Sequence, residues 1–429
     1  MIKKSFFGSG KPKLRYSAID PNSSMALTEI PPPEKISLVI NASEGPSDSV
    51  HTQVGDVVKT GQKVQPYENG TDYAVAAMTG TISQISQHTG YLGRPYLTLE
   101  ITAEAEEEEW DEEFTEKGQT ATTQTALSFL NQLPGSPNFP SLAGENQPPH
   151  TLVVQGNDKD LLVTTNQWFV VNEAGALDQG ISLLKKMFNL EKIVLAVPSH
   201  LEAGVTCKDA EVKAIGTTYP DGLPKLIMSK ILGRTVPVGI TVEEMGVGFI
   251  SAEAVVALAK AFDSGRIPVE KTFTVIGKDG TTHLCRARIG TRIKDILAHL
   301  NIETGQGDRI VLGGPLTGQS AYTDDMPIRC DTDALLVQAA RSIVMNSDNQ
   351  CINCGECVRA CPARMPVNML VRVLDNGLYS TAAEDYDLLS CVECGLCSYV
   401  CVARIPVFQY VMLGKNEFAR IQSLEVSNV

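Results

Sequence analysis

The pattern CxxCxxCxxxC occurs twice near the end of the chain, and it constrains the fold more than any other feature. The first copy reads CINCGECVRACPARMPV from Cys351, and the second reads CVECGLCSYVCVARIPV from Cys391. The cysteine spacing is identical in the two copies, and eight of the eleven cysteines belong to them. Because thiolates are soft ligands that select zinc, copper(I) or iron–sulfur clusters, the repeat predicts a metal-binding domain.

The spacing within each copy favours iron–sulfur clusters. Zinc is the alternative, but it typically uses paired CxxC motifs or histidines, and none of the six histidines lies in this region. In two-cluster ferredoxins, three cysteines of one copy hold one [4Fe–4S] cluster and the fourth binds the other cluster. This rule predicts cluster I on Cys351, Cys354, Cys357 and Cys401, and cluster II on Cys391, Cys394, Cys397 and Cys361.

The sequence around the cysteines predicts a helical two-cluster ferredoxin domain over residues 346–429. Gly355 and Gly395 follow the second cysteine of each copy, where a small residue lets the backbone approach an inorganic sulfide. The segments PVNMLVRVLDNG and STAAEDYDLLS between the copies have the apolar spacing of two short helices. Pro362 follows the first copy, whereas Val402 stands at the equivalent place in the second.

The rest of the chain predicts a multidomain α/β plus β fold. Residues 1–103 are rich in short strand patterns, and VGDVVKTGQKV followed by YAVAAMTGTISQI resembles the barrel-sandwich hybrid of biotinyl and lipoyl carriers. The carriers need a lysine at the hairpin tip, but here the tip reads Ala77-Met78-Thr79-Gly80, which predicts a structural module.

Residues 104–149 are predicted to be an acidic and polar linker with one short helix at about 126–133. Nine acids and one lysine between Glu104 and Lys117 contribute −8 to the net charge of −14 and leave −6 for the remainder. Such a run is typical of a solvated segment, with a docking site for a basic partner as the alternative. The sequence has no basic stripe, so nucleic acid is not an expected ligand.

Alternating strand and helix patterns predict a Rossmann-like α/β domain over residues 150–268. TLVVQG and KIVLAVP have the composition of buried parallel strands, and AGALDQGISLLKKMFNL between them has helical spacing. Residues 269–315 follow the order strand, Asp-Gly turn, strand, helix, which is typical of a β-grasp domain. Residues 316–345 are predicted to be a return segment.

The chain shows no signal-peptide pattern and no run that is long enough to cross a bilayer. Eleven cysteines without an export signal favour a reducing compartment over a disulfide framework. We therefore expect a protein without a transmembrane segment of its own.

With the cysteine repeat defined, several further segments resemble the C subunit of Rnf-type ion-translocating electron transport complexes. They are VGDVVKTGQKV, TYPDGLPKLIMSKILGRTVPVG, RIPVEKTFTVIG, IGTRIKDIL, IVLGGPLTG and MPIRCDTDALLV, in that order, before the double CxxCGxCxxxC. The architecture is also similar to the flavin subunit of respiratory complex I. The resemblance implies a peripheral subunit on the cytoplasmic face of a bacterial or archaeal membrane. Its partners would be membrane subunits and a ferredoxin, cytochrome or flavoprotein.

The chain departs from this family at the flavin site. Family members that oxidise NADH have a glycine-rich loop before the first α/β strand, with backbone N–H groups that hold the flavin phosphate. Here the segment reads LPGSPNFPSLAGENQPP, in which Pro137 and Pro140 have no N–H to donate. The acidic motif after the strand is replaced by QGNDKDLLVTTN, where Asp158 and Asp160 are predicted to be surface turn residues.

We therefore expect an electron-transfer subunit of an Rnf-type oxidoreductase that uses two [4Fe–4S] clusters and has no FMN or NADH site. No catalytic acid–base residue is expected, because cofactors carry the redox chemistry. Three alternatives remain open. The chain is an NADH-oxidising FMN subunit with a divergent pocket, a non-catalytic scaffold with structural clusters, or a member of the corrin-reductase branch of the family.

Overall fold

The computed structural model of the protein describes residues 12–20, 26–42, 50–67, 72–104, 108–144 and 148–427. Within these ranges the chain has a mixed α/β architecture with a helical cysteine-rich region at the end. Part of the predicted N-terminal domain and residues 105–107 of the acidic run lie outside the described ranges. Among the described residues, no helix combines the length and the apolar character that a bilayer-spanning segment requires.

The N-terminal region is built from β-strands, as predicted. A four-stranded antiparallel sheet has the order β2-β7-β6-β3, and β4 pairs with β5. The predicted hairpin tip is covered, because Ala77 is fully buried and Met78 is 4% exposed. The strands are β1 (Leu27–Glu29), β2 (Lys35–Asn41), β3 (Val57–Val58), β4 (Lys63–Val64), β5 (Ala74–Val75), β6 (Gly80–Thr89) and β7 (Pro95–Ala103), with a 3-10 turn at Tyr91–Gly93.

Residues 12–20 and strand β1 do not join this N-terminal sheet. Strand β1 pairs in parallel with a strand at Thr282–Arg288, in a distant part of the sequence. The segment 14–19 lies against the α/β sheet, where Tyr16 N donates to Thr217 O over 3.0 Å. The predicted domain 1–103 is therefore not one spatial unit. Local strand patterns cannot show such partners, since pairing is decided by distant residues.

The predicted linker is a packed segment, so the linker prediction is wrong for its described part. It forms three short helices, α1 (Glu113–Lys117), α2 (Thr123–Phe129) and α3 (Phe139–Ala143). Phe114 and Phe139 are buried in the largest core. Part of the acidic run is paired, because Glu108 accepts a hydrogen bond from Thr60 Oγ1 over 2.9 Å and contacts Arg288 Nη1 over 2.6 Å. Apolar side chains among the acids drive this packing.

The α/β domain contains a parallel sheet with the strand order β10-β9-β8-β11. Every residue of β8 is buried, as expected for a strand that is covered on both faces. The helix before β9 buries Leu177, Ile181 and Leu184 on one face. The elements are β8 (Thr151–Gln155), α4 (Thr165–Asn172), α5 (Ala174–Met187), β9 (Lys192–Pro198), β10 (Glu211–Ile215), α6 (Pro224–Lys230), β11 (Val247–Ser251) and α7 (Ala252–Ser264), with a 3-10 turn at Glu202–Gly204.

The next sheet has six strands in the order β1-β13-β12-β16-β14-β15. It contains the predicted sequence of strand, turn, strand and helix, but its strand β16 lies in the segment predicted to be a return. The sheet therefore needs residues beyond 315. Its elements are β12 (Glu270–Ile276), β13 (Thr282–Arg288), α8 (Ile293–His299), β14 (Arg309–Leu312), β15 (Gln319–Ser320) and β16 (Ala334–Gln338), with a 3-10 turn at Ala340–Ser342.

The cysteine-rich region is helical and has its own core. The two predicted helices between the copies are present, and they pack against the last helix around Leu370, Leu374 and Val411. The helices are α9 (Glu356–Ala360), α10 (Val367–Asp375), α11 (Tyr379–Glu384), α12 (Leu396–Tyr399) and α13 (Val407–Ser427), with a 3-10 turn at Leu388–Ser390.

Candidate iron–sulfur centre

The two cysteine stretches repeat their backbone conformation as well as their sequence. Three residues of each copy have left-handed φ angles at equivalent positions: Asn353 with Glu393, Gly355 with Gly395, and Arg364 with Arg404. Helices α9 and α12 begin directly after the glycines, and α10 and α13 also begin at equivalent positions of the two copies. A left-handed residue turns the chain sharply between neighbouring cysteines, so that their thiols can face a common point.

The first group of thiols surrounds Cys357. Burial, followed by the negative charge of Cys351, Cys354 and Cys401, raises the pKa of the Cys357 thiol to about 11. Cys401 comes from the second copy, whereas the other three belong to the first. The four residues predicted for cluster I are therefore electrostatic neighbours. All four are only partly buried.

The second group of thiols is more deeply buried. Burial, followed by the charge of Cys391 and Cys361, raises the pKa of the Cys394 thiol to about 12. Burial also raises the pKa of Cys397, and the thiols of Cys391, Cys394 and Cys357 act in the same direction. Cys361 thus lies beside two cysteines of the other copy. Since the charge of Cys357 also raises the pKa of the Cys397 thiol, the two groups lie close to each other.

The described thiols do not converge on a single ion position. Among the described residues, no group of three or more His, Cys, Asp or Glu side chains is arranged to hold one metal ion. The four thiolates of a cubane bind four different irons, so they need not converge on one point. Backbone N–H groups also face the sulfurs: Glu393 N donates to Cys391 Sγ over 3.3 Å, and Ile405 N donates to Cys401 Sγ over 3.4 Å. Such donors stabilise negative charge on sulfur.

The second group lies at the junction with the α/β domain. The hydroxyl of Tyr219 donates to Cys394 O over 2.6 Å, and Lys225 Nζ donates to Leu389 O over 2.9 Å. A Cβ atom on Gly395 would lie 2.3 Å from Leu316 O, so only glycine fits this approach to the loop after β14. The α/β domain and this loop therefore enclose the second group, while the first remains nearer to solvent.

The other candidate site is the crevice at the carboxyl ends of the parallel strands. In the parallel sheet β10-β9-β8-β11, the chain adds β9 and β10 on one side of β8 and then adds β11 on the other side. Nucleotide ligands of such sheets bind outside the carboxyl ends of the strands, near the point where the order of addition changes side. Here the segment 14–19 lies across the crevice. Tyr219 N donates to Leu14 O over 2.9 Å, and Gln167 Nε2 donates to Ser17 O over 2.9 Å.

The side chain of Tyr16 fills the same crevice. Its hydroxyl accepts a hydrogen bond from Gly222 N over 3.2 Å, and its ring lies 5.3 Å from the ring of Tyr219. The cavity that remains beside Tyr16, Asn157 and His200 measures about 10 Å³. This is roughly the space of one water molecule.

The segment at the place of the family's glycine-rich loop covers the start of α7. Ser251 Oγ donates to Gly135 O over 3.1 Å and accepts from Ala254 N over 3.2 Å, so it caps the helix. A Cβ atom on Gly135 would lie 2.6 Å from Ala254 N. Pro137 and Pro140 follow closely. The N–H groups at this end of the helix are thus directed to the protein itself.

The prediction that Asp158 and Asp160 are surface residues is wrong, because they are 1% and 3% exposed. Asp158 accepts from Asn166 N over 2.8 Å at the start of α4, and burial raises its pKa to about 6. Asp160 accepts from Thr317 N over 2.8 Å, and burial raises its pKa. Both carboxylates accept hydrogen bonds from backbone N–H groups that would otherwise be buried without an acceptor. A local turn pattern cannot reveal these distant donors.

Residues 343–402 match a family model described as a 4Fe-4S dicluster domain. This match contains all eight cysteines of the repeat. The protein is therefore a mixed α/β chain that carries a 4Fe–4S domain.

Relatives cover most of the chain. The C subunit of the "Ion-translocating oxidoreductase complex" of Pectobacterium carotovorum is 26% identical over 80% of this chain and 48% of its own length. The C subunit of the "Proton-translocating ferredoxin:NAD(+) oxidoreductase complex" of Clostridium ljungdahlii is 26% identical over 96% of this chain and 94% of its own length. The chain is similar over most of its length to C subunits of ion-translocating oxidoreductase complexes. It spans about half the length of the Pectobacterium relatives.

Among solved structures, an NAD+-reducing [NiFe]-hydrogenase in the air-oxidized state matches this chain at 14% identity. The match covers 70% of this chain and 65% of that chain, with a TM-score of 0.44.

Sequence reasoning missed several residues that surround the thiols in this protein. The backbone around the second group is contacted by Tyr219, Lys225 and Lys415. No sequence pattern identifies these side chains as neighbours of the cysteines. Tyr16 in the crevice likewise carries no local signal. Only TYPDGLPKL, which includes Tyr219 and Lys225, was identified, and then only as part of the family resemblance.

Proposed function

We propose that this chain is the electron-transfer C subunit of a membrane-bound Rnf-type complex that couples redox chemistry to ion translocation. The observation that carries the proposal is the grouping of the eight thiols, in which Cys401 joins the first copy and Cys361 joins the second. This crossed grouping is the arrangement of two-cluster ferredoxins, and zinc sites do not require it.

In this proposal, cluster I is held by Cys351, Cys354, Cys357 and Cys401, and cluster II by Cys391, Cys394, Cys397 and Cys361. Each [4Fe–4S] cluster supplies reversible one-electron chemistry when it is bound. The chain contributes thiolates, N–H donors to sulfur and exclusion of water. Since the charge of Cys357 acts on the Cys397 thiol, the two groups lie close together, and clusters held there would be near enough to exchange electrons within this domain.

We also propose that the chain has no FMN or NADH site of its own. The segment 14–19 covers the strand ends, and the start of α7 is capped by Ser251 and covered by Gly135. A flavin phosphate needs free N–H groups at such a helix start. The cavity beside Tyr16, Asn157 and His200, about 10 Å³ in volume, has no room for an isoalloxazine ring.

The finer organisation follows the family. We propose a barrel-sandwich-hybrid-like module in the N-terminal sheet, a Rossmann-like domain at 150–268, and a β-grasp domain that begins at 269 and extends to β16. The helical ferredoxin domain then covers 346–429. The partners in this proposal are membrane subunits and a ferredoxin, cytochrome or flavoprotein, with the chain bound peripherally at the cytoplasmic face of the membrane.

A second candidate function is supported by one comparison. The Clostridium relative, which this chain matches over nearly its full length, is named for NAD(+). This supports an FMN subunit with a divergent pocket, in which the segment 14–19 would have to leave the crevice. A flavin assay separates the two candidates.

We expect the purified chain to contain no stoichiometric flavin and its clusters to keep their visible absorbance when NADH is added. The assay is an acid extract of protein isolated with its native partners, measured for flavin fluorescence. Anaerobic stopped-flow mixing of the same protein with NADH gives the second readout. Dithionite, which should bleach the clusters, is the positive control. Stoichiometric FMN on this chain, or bleaching by NADH alone, would favour the second candidate.

A further inference from the structure

Two lysines reach the loop that carries Cys391, and they come from different domains. Lys415 of α13 donates from Nζ to Cys391 O over 3.1 Å, and its side chain is only 18% exposed. Lys225 of α6 donates to Leu389 O over 2.9 Å, just before that cysteine. Both ammonium groups are therefore held against the backbone at, or just before, the start of the second cysteine copy.

The two lysines converge on the same short stretch of chain. Leu389, which accepts from Lys225, stands two residues before Cys391, and Lys415 donates to Cys391 itself. Lys415 Nζ also pairs with Glu393 Oε1 over 2.7 Å, two residues after that cysteine. The two ammonium groups thus place positive charge beside this thiol at the domain junction.

Among the described residues, the first cysteine copy is paired with a more exposed cation than the second. The position that corresponds to Lys415 in the first copy is Asp375, which carries the opposite charge and accepts a hydrogen bond from the Tyr410 hydroxyl over 2.9 Å. A cation that contacts the first copy's backbone is Arg359, which donates to Cys354 O over 2.9 Å. Its side chain is 51% exposed and paired with Glu356, so solvent and that carboxylate screen its charge. The repeat is symmetric in its ligands but not in its charges.

Reduction adds one negative charge to a [4Fe–4S] cluster, and a nearby positive charge stabilises that form more strongly where water is excluded. We propose that Lys415 and Lys225 are positioning residues that raise the reduction potential of the cluster held by Cys391, Cys394, Cys397 and Cys361. This inference rests on the proposed function, since it requires both clusters. Lys225 also links the potential to the docking of the α/β domain, because it reaches the cysteine loop from that domain.

The test is an anaerobic redox titration of the full-length, cluster-loaded protein, followed by electron paramagnetic resonance. In Lys415→Met, we expect the reduced-to-oxidised ratio of one cluster, measured at a fixed potential, to fall about tenfold. This equals a shift of about 59 mV for one electron. The other cluster should keep its potential. Lys415→Arg should retain the parent value, and Lys225→Met should shift the same cluster in the same direction.

Two further variants make the test decisive. Glu393→Gln removes the carboxylate that pairs with Lys415 over 2.7 Å, so it should raise the potential of that same cluster. Arg420→Met removes a charge from the same helix whose side chain is 69% exposed, and it should change neither cluster. If Lys415→Met does not retain its clusters, Lys225→Met and Glu393→Gln test the inference with opposite expected signs.

Unchanged potentials in Lys415→Met, or equal shifts of both clusters, would overturn the inference and leave the proposed function intact. A parent protein without two reducible clusters would overturn both. These outcomes are distinguishable, because the parent titration is measured first and alone.

Discussion

Replacement of Lys271 by methionine is expected to lower the free energy of unfolding by about 3–5 kcal/mol. Lys271 is fully buried at the start of β12, and its ammonium group contacts Glu253 of α7 and donates to Thr272 O over 2.8 Å. Asp333 Oδ1 lies 3.4 Å away. Without the lysine, the carboxylate of Glu253 would be buried beside no opposite charge. Breaking one half of a buried pair is costly for this reason.

The measurement is urea denaturation followed by tryptophan fluorescence, because Trp168 of α4 is buried in the same region. The double variant Lys271→Met with Glu253→Gln should recover much of the loss, since the glutamine oxygen can still accept from Thr272 N. Lys260→Met is the matched control. Lys260 pairs with Glu173 over 2.7 Å but is 44% exposed, so its loss should cost about 1 kcal/mol or less. An equal cost in Lys271→Met and Lys260→Met would contradict the account.

The ion pair between Lys271 and Glu253 lies beside the ligand-binding edge that sheets of this kind share. Glu253 lies in the first turn of α7, next to the strand-order reversal of the α/β sheet. The pair joins that sheet to the neighbouring sheet through β12. The chain thus uses buried charge to connect two sheets at the place where related folds bind a ligand.

The second large effect is expected in Cys361→Ser. Because Cys361 lies beside Cys391 and Cys394, its loss should remove cluster II and leave cluster I, although it belongs to the first copy. Iron and sulfide should fall from about eight to about four of each per chain. Cys401→Ser is the matched variant and should remove cluster I instead.

Alkylation of the unprotected thiols, mapped by mass spectrometry, identifies the cluster that is lost. In Cys361→Ser, the label should appear on Cys391, Cys394 and Cys397. In Cys401→Ser, it should appear on Cys351, Cys354 and Cys357. If the label instead appeared on the first copy in Cys361→Ser and on the second copy in Cys401→Ser, each cluster would take its four ligands from one copy. This result would contradict the crossed assignment.

Much of the cysteine-rich region could be predicted because its information is local. The spacing of Cys351, Cys354 and Cys357 sets the sulfurs around one face, and Gly355 and Gly395 mark the left-handed turns. The helices between the copies followed from apolar spacing. The strand and helix order of the α/β domain was predictable for the same reason, since each period lies within a few residues.

The contacts between domains could not be predicted, because they depend on residues that are far apart in the chain. Strand β1 pairs with β13, and Tyr16 enters a crevice that much later parts of the chain form; neither has a local pattern. Asp158 was assigned to a surface turn because Asn, Asp and Lys are typical of turns. Its burial depends on the helix start at Asn166, which supplies the N–H donor. Phe114 lies within the acidic run, so its burial in the core could not be predicted from the residues around it.

In the proposed function, the chain carries electrons through two clusters that it binds itself. The most direct measurement is a reductive titration of the anaerobically purified parent protein with dithionite, monitored by visible absorbance and electron paramagnetic resonance, and then reversed by reoxidation. We predict two one-electron steps, both fully reversible, with about eight iron and about eight sulfide per chain. Clusters that cannot be reduced, or that are destroyed on reduction, would show that they are structural and would contradict the account.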